Sequence, residues 1–246
     1  SRKFLIDKIW YYYFSFFKKS AKQMKSINCI SQFIKKQVKQ RTGIDESKLE
    51  LRYAGINDKV FKPIKRKKNN TLKCLFVGQI MPEKGIDMLI DTIIELRKSK
   101  NIELSIVGEG HLKKHLQKKT KNMDFIKWVG FINTQKKMVE HYALADVTIL
   151  PTRWDEAFSL VPIESMACGT PVIASNVGGN PEIVKKNKTG YLIRPANEED
   201  LLNILKSVEK KDLEKLRKNC RSIVEKNFTI EKMKKSHIEW YEKLIK

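Results

Sequence analysis

The stretch "DVTILPTRWDEAFSLVPIESMACGTPVIAS", residues 146–175, decides the fold. An apolar β-branched run leads into a polar loop, then into a helical segment of small residues stopped by Gly169, then into a second apolar run. Strands that read as continuous hydrophobic runs, joined through a helix, belong to a parallel sheet covered on both faces. The same stretch sets two carboxylates, Glu156 and Glu164, on either side of the loop-to-helix turn.

Working outward, the alternation begins at residue 72 with "LKCLFVG", "IDMLIDTIIELRK", "IELSIVG", "HLKKHLQKK", "FIKWVGF" and "MVEHYALA", and closes with "GYLIRP". It predicts a doubly wound, Rossmann-like α/β domain over residues 72–228. After Ala196 the pattern is helical, and residues 229–246 read as a final helix packing back toward the first part of the chain. The stretch "KVFKPIKRKKNN", with its proline, cation cluster and paired asparagines, reads as a linker over 59–71. Residues 1–58 hold two strand-like runs, "SINCIS" and "KLELRYAG", around the helix "QFIKKQVKQRTG". Two strands are too few for an independent core, so this unit reads as an incomplete α/β segment. The opening "IWYYYFSFFKK" is read either as an interfacial anchor with snorkelling lysines or, in preference, as a helix face packed on a missing sheet. The first residue is Ser1, not methionine, which suggests a processed, engineered or partial chain.

At 246 residues, 41% hydrophobic and 32% charged, the chain has a globular composition. Its net charge of +22 favours anionic partners, phosphates or an acidic membrane surface among them, and equally describes lysines coating solvated helix faces. The four cysteines have no metal-site spacing, and Cys74 and Cys168 sit in apolar runs, which points to a reducing compartment. No run of 18 or more apolar residues crosses a membrane. No aromatic and basic pattern suited to nucleic acid is present, so a specific nucleic-acid partner is not expected.

Ligands of open α/β sheets bind beyond the carboxyl ends of the strands. Gly78 and Gly85 flank Lys84 in the first such loop, where the backbone can approach a phosphate and a cation can meet it; Gly108 and Gly110 serve the second loop similarly. In "PTRWDEAFSLVPIE", Ser159 and Pro162 mark a helix start, which turns the backbone N–H groups of Phe158 to Val161 toward the cleft as an anion site. Glu164, one turn into that helix, can accept two hydrogen bonds from a vicinal diol such as ribose, or merely complement the helix dipole.

The string "EAFSLVPIESMACGTPVIAS", with "FVGQIMPEKGIDMLI" before it and "VGGNPEIVKKNKTGYLIRP" after it, resembles the C-terminal domain of the retaining GT-B glycosyltransferases of family 4. The likeness is collinear from about residue 72 to about 208. Upstream, "INCISQFIKKQV" and "RYAGINDKVFKP" are similar to the end of the family's N-terminal domain, most of which is absent. The resemblance implies a UDP- or GDP-linked sugar donor, no cofactor and no metal. It implies that Glu164 binds the ribose hydroxyls and that Glu156 contacts the transferred sugar. The backbone of Phe158, Ser159 and Leu160 would lie along sugar and pyrophosphate, and that of Val129, Gly130 and Phe131 would meet the base. Lys84 would bind phosphate, with Glu156 the other catalytic candidate, and Gly78 and Gly108 would line the donor site. The family commonly has arginine where this chain has Gln79, so Lys84 must suffice or Arg153 must substitute. A lipid-linked or polysaccharide-precursor acceptor is implied, at the cytoplasmic face of a bacterial cell membrane, with peripheral contact to anionic lipid. The rival readings are a nucleotide-sugar-binding fragment without catalysis and a glycoside hydrolase using the two glutamates.

Overall fold

The computed structural model describes residues 17–67 and 69–245, so most of "IWYYYFSFFKK" lies outside the described residues. The first unit comprises strand β1 (Ile27–Cys29), helix α1 (Gln32–Thr42) and strand β2 (Leu49–Leu51), with the two strands paired in parallel. Helix α1 starts where Ser31 accepts the Ile34 N–H and ends at Gly43, whose φ of 64° suits a left-handed cap.

The second unit is a parallel sheet of six strands. Along the chain come β3 (Leu72–Val77), α2 (Ile86–Arg97), β4 (Ile102–Val107), α3 (Lys113–Lys119), β5 (Ile126–Gly130) and α4 (Gln135–Leu144). They are followed by β6 (Val147–Leu150), α5 (Leu160–Ala167), β7 (Val172–Ser175), α6 (Asn180–Ile183), β8 (Gly190–Ile193) and α7 (Glu198–Ser207). The spatial order is β5-β4-β3-β6-β7-β8, so the winding reverses between β3 and β6. Strands β6 and β7 are buried at every residue, which explains their unbroken apolar reading.

Alternate residues of β3 feed two separate cores. Leu72, Cys74 and Phe76 pack with Leu89 and Ile93 of α2 and Leu201 and Leu205 of α7. Leu75 faces the opposite layer, with Tyr142 of α4, Ile163 and Met166 of α5, and Val224 of α8 (Lys210–Asn227). The final helix α9 (Ile230–Ile245) returns to the first unit. Its entry is joined there by Ile56, whose N–H donates to Phe228 O at 2.9 Å while its carbonyl accepts from Ile230 N at 2.9 Å. A side chain at Gly55 would collide with Thr229 O at 2.3 Å, so this crossing needs the glycine.

The segment that carries Arg66 is held to the amino edge of the sheet by one buried carboxylate. Asp146, 3% exposed, accepts from Lys73 N at 2.9 Å and pairs with Arg66 and, at 3.0 Å, with Lys210. Lys210 also donates to Asn69 O and Thr71 O. Replacing Asp146 with alanine orphans a buried N–H and two cations that can partly resolvate, at a cost of about 2 kcal/mol. Urea denaturation of Asp146→Ala should therefore show a lower midpoint with an unchanged slope.

Candidate active site

Strands β3 and β6 lie side by side although five helices and strands separate them in sequence, and their loops leave the sheet together. The first loop ends in a tight turn, Pro82–Lys84, closed by Gly85 at φ 67°. A side chain at Gly85 would meet Pro151 O at 2.1 Å, so the two loops touch through bare backbone. Arg153 N and Thr152 Oγ1 both donate to Glu83 O, at 2.8 and 3.0 Å. This stitching brings Lys84 Nζ to 2.6 Å from Glu156 Oε1, with both side chains partly buried. The pair lies on a cavity of about 180 Å³ whose walls include Gly78, Gln79, Thr152 and Ser159.

Next to the cavity, the loops after β3, β4 and β5 form a continuous glycine floor. Gly78 N donates to Val107 O and Gly108 N to Gly130 O, at 3.1 and 2.9 Å. A side chain at Gly108 would lie 1.9 Å from Gly78 O. The register slips between Ile106 and Val107, so Val107 pairs with Gly130, and Val129 and Phe131 emerge as an exposed apolar rim.

Ser159 occupies the cap position of α5 in extended conformation, yet its side chain makes no capping bond; it lines the cavity instead. The amides of Ser159, Leu160 and Val161 have no acceptor among the described residues, which leaves first-turn donors for an anion. Phe158 turns away and stacks on Tyr53 at 5.6 Å. Arg153, expected as a substitute cation, lies outside the cavity lining, where its guanidinium donates to Pro82 O at 2.9 Å and pairs with Asp87 at 3.0 Å. The local carbonyl and carboxylate satisfy it, which leaves Lys84 as the cation of the cavity wall.

Glu164 is not among the residues lining the cavity. Its Oε2 accepts the Tyr142 hydroxyl at 2.8 Å. Burial raises the Glu164 carboxyl above its usual range, with the Tyr142 bond opposing. Sequence reading missed Tyr142, Thr152 and the pair Gly178–Gly179. Gly179 N donates to Glu156 O at 2.8 Å, and a side chain at Gly178 would meet the same oxygen at 2.0 Å. The two glycines were visible in "VGGNPE"; nothing in the apolar "MVEHYALA" distinguishes Tyr142 from an ordinary core residue.

Residues 57–227 match the family model "Glycosyl transferases group 1". An uncharacterized glycosyltransferase of Methanocaldococcus jannaschii is 30% identical over 232 residues, 93% of this chain and 62% of its own length. The lipopolysaccharide 1,2-N-acetylglucosaminetransferase of Salmonella typhimurium is 30% identical over 185 residues, 69% of this chain and 48% of its own. The chain thus spans roughly half the length of the curated relatives it matches. Anabaena HepE, solved in complex with UDP and glucose, superposes with a TM-score of 0.77 at 20% identity over 90% of this chain and 64% of its own.

The raised Glu164 carboxyl contributes a stability that falls as pH rises. Because its folded carboxyl holds a proton more tightly than an ordinary glutamate, its contribution is complete below the usual glutamate range and is lost as pH rises through the raised value. Urea midpoints of the unliganded chain, from about pH 4 to about pH 7, should decline more steeply than those of Glu164→Gln. Parallel curves would show that Glu164 titrates as it does unfolded.

Proposed function

Since the chain belongs to the glycosyl transferases group 1, we propose that it takes part in retaining, metal-independent transfer of a sugar from a UDP- or GDP-linked donor. The observation that carries the proposal is the Lys84–Glu156 pair set beside unpartnered α5 amides where the winding of the sheet reverses. Breaking a sugar–phosphate bond builds negative charge on the departing diphosphate, and fixed cations and amide dipoles stabilise that charge as it forms. Lys84 and the start of α5 supply both. Without donor, Lys84 and Glu156 neutralise each other; an arriving diphosphate takes Lys84 and leaves Glu156 to the sugar hydroxyls. Glu164 takes the ribose diol, and the exposed Val129 and Phe131 with Gly130 receive the base. Attack comes from the face the leaving group vacates, with a phosphate oxygen accepting the acceptor's proton. The structure of HepE, solved in complex with UDP and glucose, supports a nucleotide-linked donor.

The donor-binding unit is assigned to residues 72–228, with 59–71 as linker and 229–246 returning to the first unit. The acceptor is assigned to lipid-linked or polysaccharide precursors, in keeping with the lipopolysaccharide enzyme among the relatives. The net charge of +22 suits peripheral contact with the inner face of an anionic membrane, and among the described residues no helix is long and apolar enough to cross one. A second reading, donor binding without transfer, applies to residues 1–246 taken alone, whose first unit holds two strands among the described residues with which to build a facing wall. Positioning an acceptor supplies much of such a rate, so a missing wall would cost orders of magnitude. A hydrolase is disfavoured because such a reaction has no use for Lys84 and the unpartnered α5 amides as an anion site.

Thermal shift with UDP, GDP and their sugars should show stabilisation that grows with ligand concentration; no shift with any of them would remove the donor-binding reading. Glu164→Ala should weaken binding by about 1 to 3 kcal/mol. Lys84→Ala should weaken diphosphates far more than the bare nucleoside. Radiolabelled donor incubated with the chain and a membrane extract then separates the two readings, since robust transfer contradicts binding alone.

A further inference from the structure

Glu182 lies in the short α6 and lines no part of the cavity. Its carboxylate nevertheless accepts three hydrogen bonds from the first unit. Gln32 N reaches Oε2 and Phe33 N reaches Oε1, each at 2.8 Å, and the Tyr53 hydroxyl reaches Oε2 at 3.0 Å. The two amides open α1 and have no acceptor within the helix, so a carboxylate satisfies them and complements the helix dipole together. Burial and the adjacent carboxylate push the Tyr53 hydroxyl up to about 12, which keeps it a donor at neutral pH.

What exceeds helix capping is the residue immediately before those amides. Ser31 donates its hydroxyl to Ala157 O at 2.6 Å, across 126 residues of sequence. Ala157 lies between Glu156 and Phe158. The preceding carbonyl, Glu156 O, is held from the other side by Gly179 N, three residues before Glu182. Phe158 closes the arrangement by stacking on Tyr53. The loop that carries Glu156 is thus gripped by two groups, and Glu182 fixes the one that comes from the first unit.

We propose that Glu182 is a positioning residue for the donor loop. By pinning the start of α1 it sets Ser31 against Ala157, and so holds Glu156 where it faces Lys84. The proposal rests on the donor-binding reading of the cleft. It also makes the placement of the first unit and the occupancy of the donor site two aspects of one equilibrium, because the same bonds serve both.

The test uses the full chain and four variants: Glu182→Gln, Ser31→Ala, the double variant, and Tyr53→Phe, which keeps the ring stack and removes one hydroxyl. Each is titrated by calorimetry with the nucleotide sugars UDP-glucose and GDP-mannose, which engage Glu156 through the sugar, and its stability is read separately in urea. Glu182→Gln and Ser31→Ala should each weaken the better-bound nucleotide sugar by about tenfold. The double variant should be no weaker than the worse single, because one acts through the other. Tyr53→Phe should weaken binding by about threefold. A folded Glu182→Gln with undiminished affinity overturns the proposal even if its urea midpoint falls, since Glu182 would then be a helix cap only. If Glu182→Gln does not fold, undiminished affinity of Tyr53→Phe does the same, and additive losses in the double variant overturn the route through Ser31. A wild-type chain that binds neither nucleotide sugar overturns this proposal and the donor-binding reading together, an outcome distinct from all the others.

Discussion

The reversal of winding between β3 and β6 is the constraint on which the rest depends. Right-handed crossovers that run outward from β3 to β4 and β5 place α2 and α3 on one face of the sheet. The chain must then return to the other side of β3, and the same handedness puts α4 and α5 on the opposite face. Two neighbouring strands whose following helices diverge leave a gap at their carboxyl ends that no side chain of the core fills. Lys84 enters that gap from one side and Glu156 from the other, so a charge pair spans the opening that the reversal of winding leaves.

Keeping that gap narrow requires backbones to approach each other without side chains between them. Gly85 against Pro151, Gly108 against Gly78 and Gly178 against Glu156 are three such approaches, each leaving about two ångströms where a β-carbon would stand. Each also has a positive φ that an ordinary residue adopts at a cost. Sterics and backbone conformation therefore demand the same residue at the same place. The loops around the cavity are rigid for reasons independent of the charges they display.

The strands were legible because burial on both faces writes an unbroken apolar run, as in Val147–Leu150 and Val172–Ser175. The pairing of Lys84 with Glu156 was legible as convergence on a cleft, since strand ends and helix starts fix where a loop lies. The contacts of Arg153 were not legible, because a cation in a loop chooses among local acceptors, here Pro82 O and Asp87. Ser159 does occupy the cap position of α5, but its side chain faces the cavity, a choice of rotamer that composition does not encode. The bonds of Glu182 to residues 129 and more positions upstream leave no periodicity to read, because long-range hydrogen bonding carries no local pattern.

All four cysteines are buried, and burial raises each thiol above its normal range, Cys168 and Cys220 to about 12. Alkylating reagents attack the thiolate, so in the native fold these sulfurs are masked both sterically and by protonation. Cys74 and Cys220 belong to the two opposite cores, and Cys29 to the small cluster of the first unit. Three internal reporters therefore stand in three layers, and each becomes reactive only when its own layer opens. The order in which they label under mild denaturant would resolve the sequence in which the layers come apart, with no foreign probe introduced.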